Sequence, residues 1–263
     1  MSVLIYEKKG RIAYLTMNRP ERLNAMGGGL GEALSEAWQD FREDPELWIA
    51  IVTGAGDRAF SSGADLVAMS SASGPTLSPG AQALTPNYKN VSIMRGMECW
   101  KPIIAAINGY AVGGGLELAL SCDIRIAADV AQLGLGEVRW SLIPGGGGTQ
   151  RLPRAIPLGI AMELLMTGDR VTAQRAYEVG LVNYVVPQAE LMARATALAE
   201  RICQNGPLAV RAVKESAMRG LNMSLEDGLR LESHIFRAVR DTEDSKEGPK
   251  AFAEKRTPQF TGR

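Results

Sequence analysis

Histidine is nearly missing from this 263-residue chain: His234 stands alone. That excludes a metal site built on several histidines, and it leaves a serine–histidine–aspartate triad resting on one residue in a charged, helical tail. Cysteine is scarce as well. Cys99, Cys122 and Cys203 are widely spaced, odd in number and without a CxxC, so they read as reduced, buried thiols of a cytosolic protein. An excess of charge of either sign is absent, with 29 Lys and Arg against 29 Asp and Glu. A balanced chain carries no global field to gather nucleic acid or anionic membrane. The opening MSVLIYEKKG has charges within its first ten residues and no apolar centre, so no secretory signal is expected. The stretch 102–121 is long enough to resemble a membrane span, but it holds Asn108, Glu117 and four glycines. It reads as buried strand, turn and helix.

What is present suffices for a packed core: 46% of residues are hydrophobic and 22% charged. Residues 3–7 and 11–17 read as paired strands around KKG. Apolar residues at helical spacing (Leu30, Ala33, Leu34, Ala37, Trp38, Phe41) predict a helix over 30–41. WIAIVTG (48–54) and PIIAAING (102–109) read as buried strands, and DIRIAA (123–128) as a third. Between the first two lies a polar, turn-rich stretch, 68–90, of the length that usually carries function. A second glycine cluster, PGGGGTQRLPRAIP, runs toward a helix ending near Thr167-Gly168. A short helix over 172–180 and a strand in LVNYVVP follow. Beyond about 188 strand signals stop, and helices are predicted at 189–204, 208–219 and 225–239. Strand–turn–helix units followed by helices alone indicate an α/β core with a helical C-terminal section.

The chemistry concentrates in the glycine segments. In GYAVGGGLELAL (109–120) a strand turns through three glycines into a helix. Such glycines serve either tight helix packing or close approach of a ligand to the N–H donors of the helix start. The second case is half of an oxyanion hole. SSGADL (61–66) is either an ordinary loop in which Asp65 caps a helix, or the source of a second donor at Ala64. Glu117 follows the glycines inside an apolar run. Glu137 lies twenty residues on, in GLGEVRW. Two carboxylates near one oxyanion site can divide acid and base work when their environments separate their pKa values, although spacing alone does not bring them together.

These segments resemble the enoyl-CoA hydratase/isomerase, or crotonase, family. The likeness runs through NRPERLNAM, AFSSGADL, KPIIAAINGYAVGGGLELALSCDIRIA, GEVRWSLIPGGGGTQRLPR, MTGDRVTAQRAYEVGLVNYVV and EGPKAFAEKR. It implies an α/β fold, a spiral of ββα units over 1–200 with a helical C-terminal trimerisation region over 201–263, assembled as a homotrimer or homohexamer. It implies an oxyanion hole at Ala64 and Gly114, and Glu117 and Glu137 as the acid/base pair of a cytoplasmic enzyme. That enzyme would add water reversibly across the double bond of a trans-2-enoyl-CoA. No metal or other cofactor is implied, because coenzyme A is part of the substrate. The acyl-CoA thioester is expected to touch Arg22, Leu23 and Ala25, then Ser62, Ala64, Asp65 and Leu66, with Phe252 and Lys255 reaching CoA, often across a trimer interface.

Departures from the family pattern fall beside Glu137. Gly136 stands where proline is frequent, Ser141 where glycine is, and Trp140 where an aliphatic side chain is usual. Trp140 is expected to shape the acyl pocket, with Gly145 near it and Met69, Tyr88, Met94 and Met97 as further lining. The tail resembles carnitinyl-CoA dehydratases, so hydration or dehydration of a less usual acyl group is one alternative. A Δ3-Δ2 enoyl-CoA isomerase is another, and Glu117 counts against it. A non-catalytic CoA-binding or RNA-binding relative is a third. Segment 30–46 holds six acidic residues and one basic, which counts against that helix as an RNA face.

Overall fold

Strands that read as unbroken apolar runs are the ones buried on both faces, as central parallel strands must be. The computed structural model describes residues 2–65, 92–95 and 97–263. β1 (Leu4–Lys9) and β2 (Ile12–Met17) pair antiparallel across Gly10. β3 (Ile49–Gly54), parallel to β2, and β5 (Ile103–Ile107), parallel to β3, are buried along their whole length. β7 (Ile124–Ala128) and β10 (Tyr184–Val186) complete a six-stranded sheet in the order β1-β2-β3-β5-β7-β10.

A second sheet is made of three-residue strands. β4 (Ala59–Ser61), β6 (Tyr110–Val112) and β8 (Gln132–Gly134) run parallel, and β9 (Arg170–Thr172) closes it antiparallel. The successive pairs β3/β4, β5/β6 and β7/β8 each place one strand in the large sheet and the next in the small one. The chain therefore advances as a spiral of ββα turns, as the resemblance implied. Buried Asn24 and Asn108 brace the β3–β4 corner. Asn24 Nδ2 donates to the carbonyls of Ala55 and Ala59 (3.0 and 2.8 Å), and Asn108 Nδ2 donates to Gly56 O at 2.8 Å. These bonds satisfy carbonyls that a buried corner would otherwise leave unpaired, and they fix where the loop after β4 emerges.

Helix α1 (Leu30–Glu43) lays its predicted apolar face into the main core; Ala33 alone of that face is half-buried. α2 (Gly114–Ser121) starts directly after β6. α3 (Gly148–Ala155) and α4 (Leu158–Thr167) are separate helices divided at Pro157, and α4 ends at Gly168 as expected. α5 (Ala173–Glu178) is short and capped by Thr172. α6 (Leu191–Cys203), within which the expected 200/201 division falls, packs Leu191, Ala195 and Ala199 against the outer face of the six-stranded sheet. α7 (Pro207–Gly220), α8 (Leu225–Arg240) and α9 (Glu243–Ala253) follow. α9 was absent from the periodicity reading because Gly248 and Pro249 interrupt its sequence.

Candidate active site

The site is assembled where the two corners of the spiral meet. β6 ends at Val112, Gly113 turns at φ 54°, and α2 begins at Gly114. As the first helical residue, Gly114 has no acceptor for its N–H within α2. The loop after β4 comes against this start so closely that only glycine fits: a Cβ on Gly63 would lie 2.6 Å from Gly114 N, and Gly63 has φ 80°. A Cβ on Gly114 would in turn lie 3.8 Å from Ala64 N. Ala64 N–H donates to no backbone acceptor among the described residues. The N–H groups of Ala64 and Gly114, neither with an acceptor among the described residues, thus sit side by side at the lip of one cavity.

Glu117 stands in the first turn of α2, where the helix dipole favours a carboxylate. It is only 4% exposed. Its Oε1 accepts the N–H of Gly146 at 2.6 Å and of Gly148 at 2.8 Å. Glu137 opens a one-turn 3₁₀ segment just after β8. Its Oε1 lies 3.3 Å from where a Cβ on Gly113 would be, and its buried Oε2 has no hydrogen-bond partner among the described residues. Burial pushes the Glu137 carboxyl above its ordinary pKa, and the Glu117 charge adds to that push. One carboxylate is therefore held by two backbone donors, while the pKa of the other is raised by burial.

Both carboxylates and both N–H groups line a cavity of about 540 Å³. Ser62, Val112, Gly113 and Gly145 complete its inner wall; Trp140, Leu142 and Ile143 form an apolar outer wall. That wall is open to solvent, with Trp140 66% and Ile143 75% exposed. An apolar chamber with polar groups gathered at one end can hold a hydrocarbon chain while donors and acids act on its head.

The other expected contact residues divide. Ser62 N–H donates to Leu23 O at 2.9 Å, so Arg22 and Leu23 border the loop that carries Ala64; Arg22 is exposed and Ala25 buried. Asp65 faces Arg19 at 3.4 Å, half sheltered beside Gly27. Leu66, Met69 and Tyr88 lie outside the described residues. Met94 reaches Gly146, whereas Met97 is part of the hydrophobic core. Phe252 and Lys255, at the end of α9, do not line this cavity, and Phe252 is almost fully exposed.

Sequence reasoning missed the partners of Glu117. The run of four glycines was visible, but nothing in it announces that Gly146 and Gly148 aim their N–H groups at a residue about thirty positions earlier. Arg139 and Arg170 were likewise unmarked; both line the cavity, with Arg139 ion-paired to Asp169 and Arg170 over the Tyr110 ring. Among the described residues, no group of three or more His, Cys, Asp or Glu is placed to hold a metal. Nor is any helix among them long and apolar enough to cross a membrane.

Fold and cavity together define a ββα-spiral protein with paired backbone N–H donors and paired carboxylates at one site. The enoyl-CoA hydratase/isomerase family model matches residues 7–263, and the chain belongs to that family. It is 44% identical to an (E)-benzylidenesuccinyl-CoA hydratase of Thauera aromatica, over 97% of this chain and 98% of that one. It is 42% identical to a carnitinyl-CoA dehydratase of Salmonella arizonae, over 97% of each. The crystal structure of an enoyl-CoA hydratase from Bacillus anthracis superposes with a TM-score of 0.91 at 39% identity, covering 100% of both chains.

Proposed function

We propose that the protein is an enoyl-CoA hydratase that adds water reversibly to a trans-2-enoyl-CoA. The thioester oxygen sits between the N–H groups of Ala64 and Gly114, which stabilise the enolate as it forms. Each such donor contributes roughly 3 kcal/mol in comparable oxyanion holes. Glu117, fixed by its two backbone donors, orients the water and takes its proton as oxygen bonds to Cβ. Glu137 delivers its proton to Cα as the enolate collapses. In reverse the same groups exchange these tasks. The observation that carries this reading is the convergence of both carboxylates and both uncommitted N–H groups on one cavity.

Arg22, Leu23, Ala25, Ser62, Ala64 and Asp65 form the CoA side of the site in this reading, and binding through that remote handle positions the reacting carbons. Phe252 and Lys255 would reach CoA on a neighbouring copy. A homotrimer, single or paired as a hexamer, is supported by the apolar groove between α7 and α8, about 770 Å³, with Val213, Leu221, Leu225, Leu229 and Phe236 exposed around it. The cytoplasm is the compartment proposed for a chain with three free thiols.

The open Trp140 wall favours a second reading of the acyl group. Two relatives are named for bulkier thioesters, one aryl-bearing and one carnitinyl. Incubation with crotonyl-CoA, followed by mass spectrometry, tests the main reading. Gain of one water is the expected product. A shifted double bond without mass change would make the protein an isomerase. No product from a folded, CoA-binding protein would exclude short-chain hydration and direct the assay to cinnamoyl and carnitinyl thioesters.

A further inference from the structure

Four consecutive glycines, Gly145–Gly148, are a soft backbone, since glycine restricts its torsions least. Yet two N–H groups of this run are the only described hydrogen-bond donors to the Glu117 carboxylate. The loop needs an external brace.

Three successive peptide groups show where the brace is applied. The first, Gly145–Gly146, aims its N–H at Glu117 Oε1, 2.6 Å away. The third, Gly147–Gly148, aims its N–H at the same oxygen, 2.8 Å away. The middle peptide points the other way, and its carbonyl, Gly146 O, accepts from Arg151 Nη1 at 2.9 Å. Arg151 Nη2 donates to Met94 O, also at 2.9 Å, which ties the loop to the segment before Met97. The backbone N–H of Arg151 donates to Gly147 O at 2.8 Å. Side chain and main chain of one residue thus hold two neighbouring glycines.

The fit is close on both sides of the loop. A Cβ on Gly147, which has φ 108°, would overlap Arg151 Nη1. A Cβ on Gly146 would lie 2.6 Å from Glu117 Oε2. A side chain at Gly146 or Gly147 would therefore displace the carboxylate or the guanidinium that presses on the loop. No carboxylate touches Arg151 among the described residues; its side-chain hydrogen bonds go to the two carbonyls. Burial and the nearby Arg95 lower its proton affinity, and Glu117 raises it.

We propose that Arg151 is a positioning residue for hydration: its guanidinium fixes the middle peptide of the glycine run and so orients the two N–H groups that hold Glu117. This rests on the reading that Glu117 handles the attacking water. Lysine cannot replace it, because a point-like ammonium lacks the planar fork that spans both carbonyls.

Steady-state kinetics test it, using the trans-2-enoyl-CoA that the wild type hydrates fastest, with Arg151→Ala, Arg151→Lys and Glu117→Gln. Misplacement of a catalytic group by about 1 Å costs on the order of 10²-fold, so both Arg151 variants are expected to lose about that in kcat with KM changed less than about threefold. Millimolar guanidinium is expected to restore at least about tenfold of the Arg151→Ala loss and nothing to Glu117→Gln, since it refills only the vacated donor site. Wild-type kcat in a folded Arg151 variant, a loss confined to KM, or absence of rescue would overturn the proposal. Should Arg151→Ala not fold, the kcat and KM of Arg151→Lys decide. Loss of kcat in Glu117→Gln with none in Arg151→Lys would sink this inference alone. Full kcat in Glu117→Gln, or a wild type that hydrates no enoyl-CoA, would remove the reading beneath it and the inference together.

Discussion

Glu117 and Glu137 face one cavity with unequal support. Glu117 Oε1 accepts two backbone N–H bonds, at 2.6 and 2.8 Å, while the buried Oε2 of Glu137 accepts none from the described residues. Hydrogen bonds to a carboxylate favour its charged form, and burial without them favours the neutral acid. The proposed division of labour gives the acid's task to Glu137, whose pKa is raised by burial.

The pH–rate profile should carry it. Glu137 must be protonated to supply Cα, and its pKa is raised by burial first and by Glu117 second. The hydration kcat/KM is therefore expected to fall as pH rises through the raised Glu137 pKa. Glu137→Gln should abolish that limb along with most activity. A profile with no alkaline limb assignable to Glu137 would contradict the assignment.

Glu137→Gln should move stability in the opposite sense to activity. The folded chain keeps the Glu137 proton above the pH at which the unfolded chain releases it. Stability therefore falls as pH rises from the ordinary glutamate value to the raised one, then levels off. Glu137→Gln removes this loss, so thermal unfolding near neutral pH should show the variant more stable than the wild type. Strained or desolvated active-site groups commonly have this cost. Equal or lower stability in the variant would mean that burial of the acid is not uncompensated.

Gly63 supplies a test of the donor pair. Its Cβ would stand 2.6 Å from Gly114 N, at a φ that L residues rarely adopt. Gly63→Ala is expected to lower kcat about 10²–10³-fold, the cost of losing one oxyanion donor. Circular dichroism of the variant, read beside the kinetics, separates a local shift of this buried corner from unfolding. Near-wild-type turnover would show that Gly114 N–H is not used.

Much of this architecture was legible in the residues. β3 and β5 announce themselves as apolar runs, and α1 as a periodic face. β4, β6 and β8 do not, because three residues carry no measurable alternation. Their pairing depends on tertiary placement of the spiral's corners. At the site, the glycines before Glu117 marked the start of α2, where the Gly114 N–H stands beside that of Ala64. What holds Glu117 was not legible, since backbone N–H groups have no sequence signature and Gly146 and Gly148 lie about thirty residues away.

Trp140 should govern which acyl groups enter. It is 66% exposed on the cavity's outer wall, so Trp140→Ala should leave unfolding unchanged within about 0.5 kcal/mol. The ratio of kcat/KM for an aryl-bearing thioester to that for crotonyl-CoA should change by roughly tenfold or more, the scale on which apolar pocket contacts discriminate. A constant ratio would place the acyl group away from this wall.

The most direct measurement is the hydration rate of crotonyl-CoA, read as loss of enoyl-thioester absorbance, in the wild type, Glu117→Gln and Glu137→Gln. Both variants remain isosteric and should still bind CoA thioesters. General acid and base groups are each typically worth about 10²–10⁴-fold, and both rates are predicted to fall by at least that much. A variant that keeps wild-type turnover would show that its glutamate takes no part, and the paired-carboxylate account would be wrong.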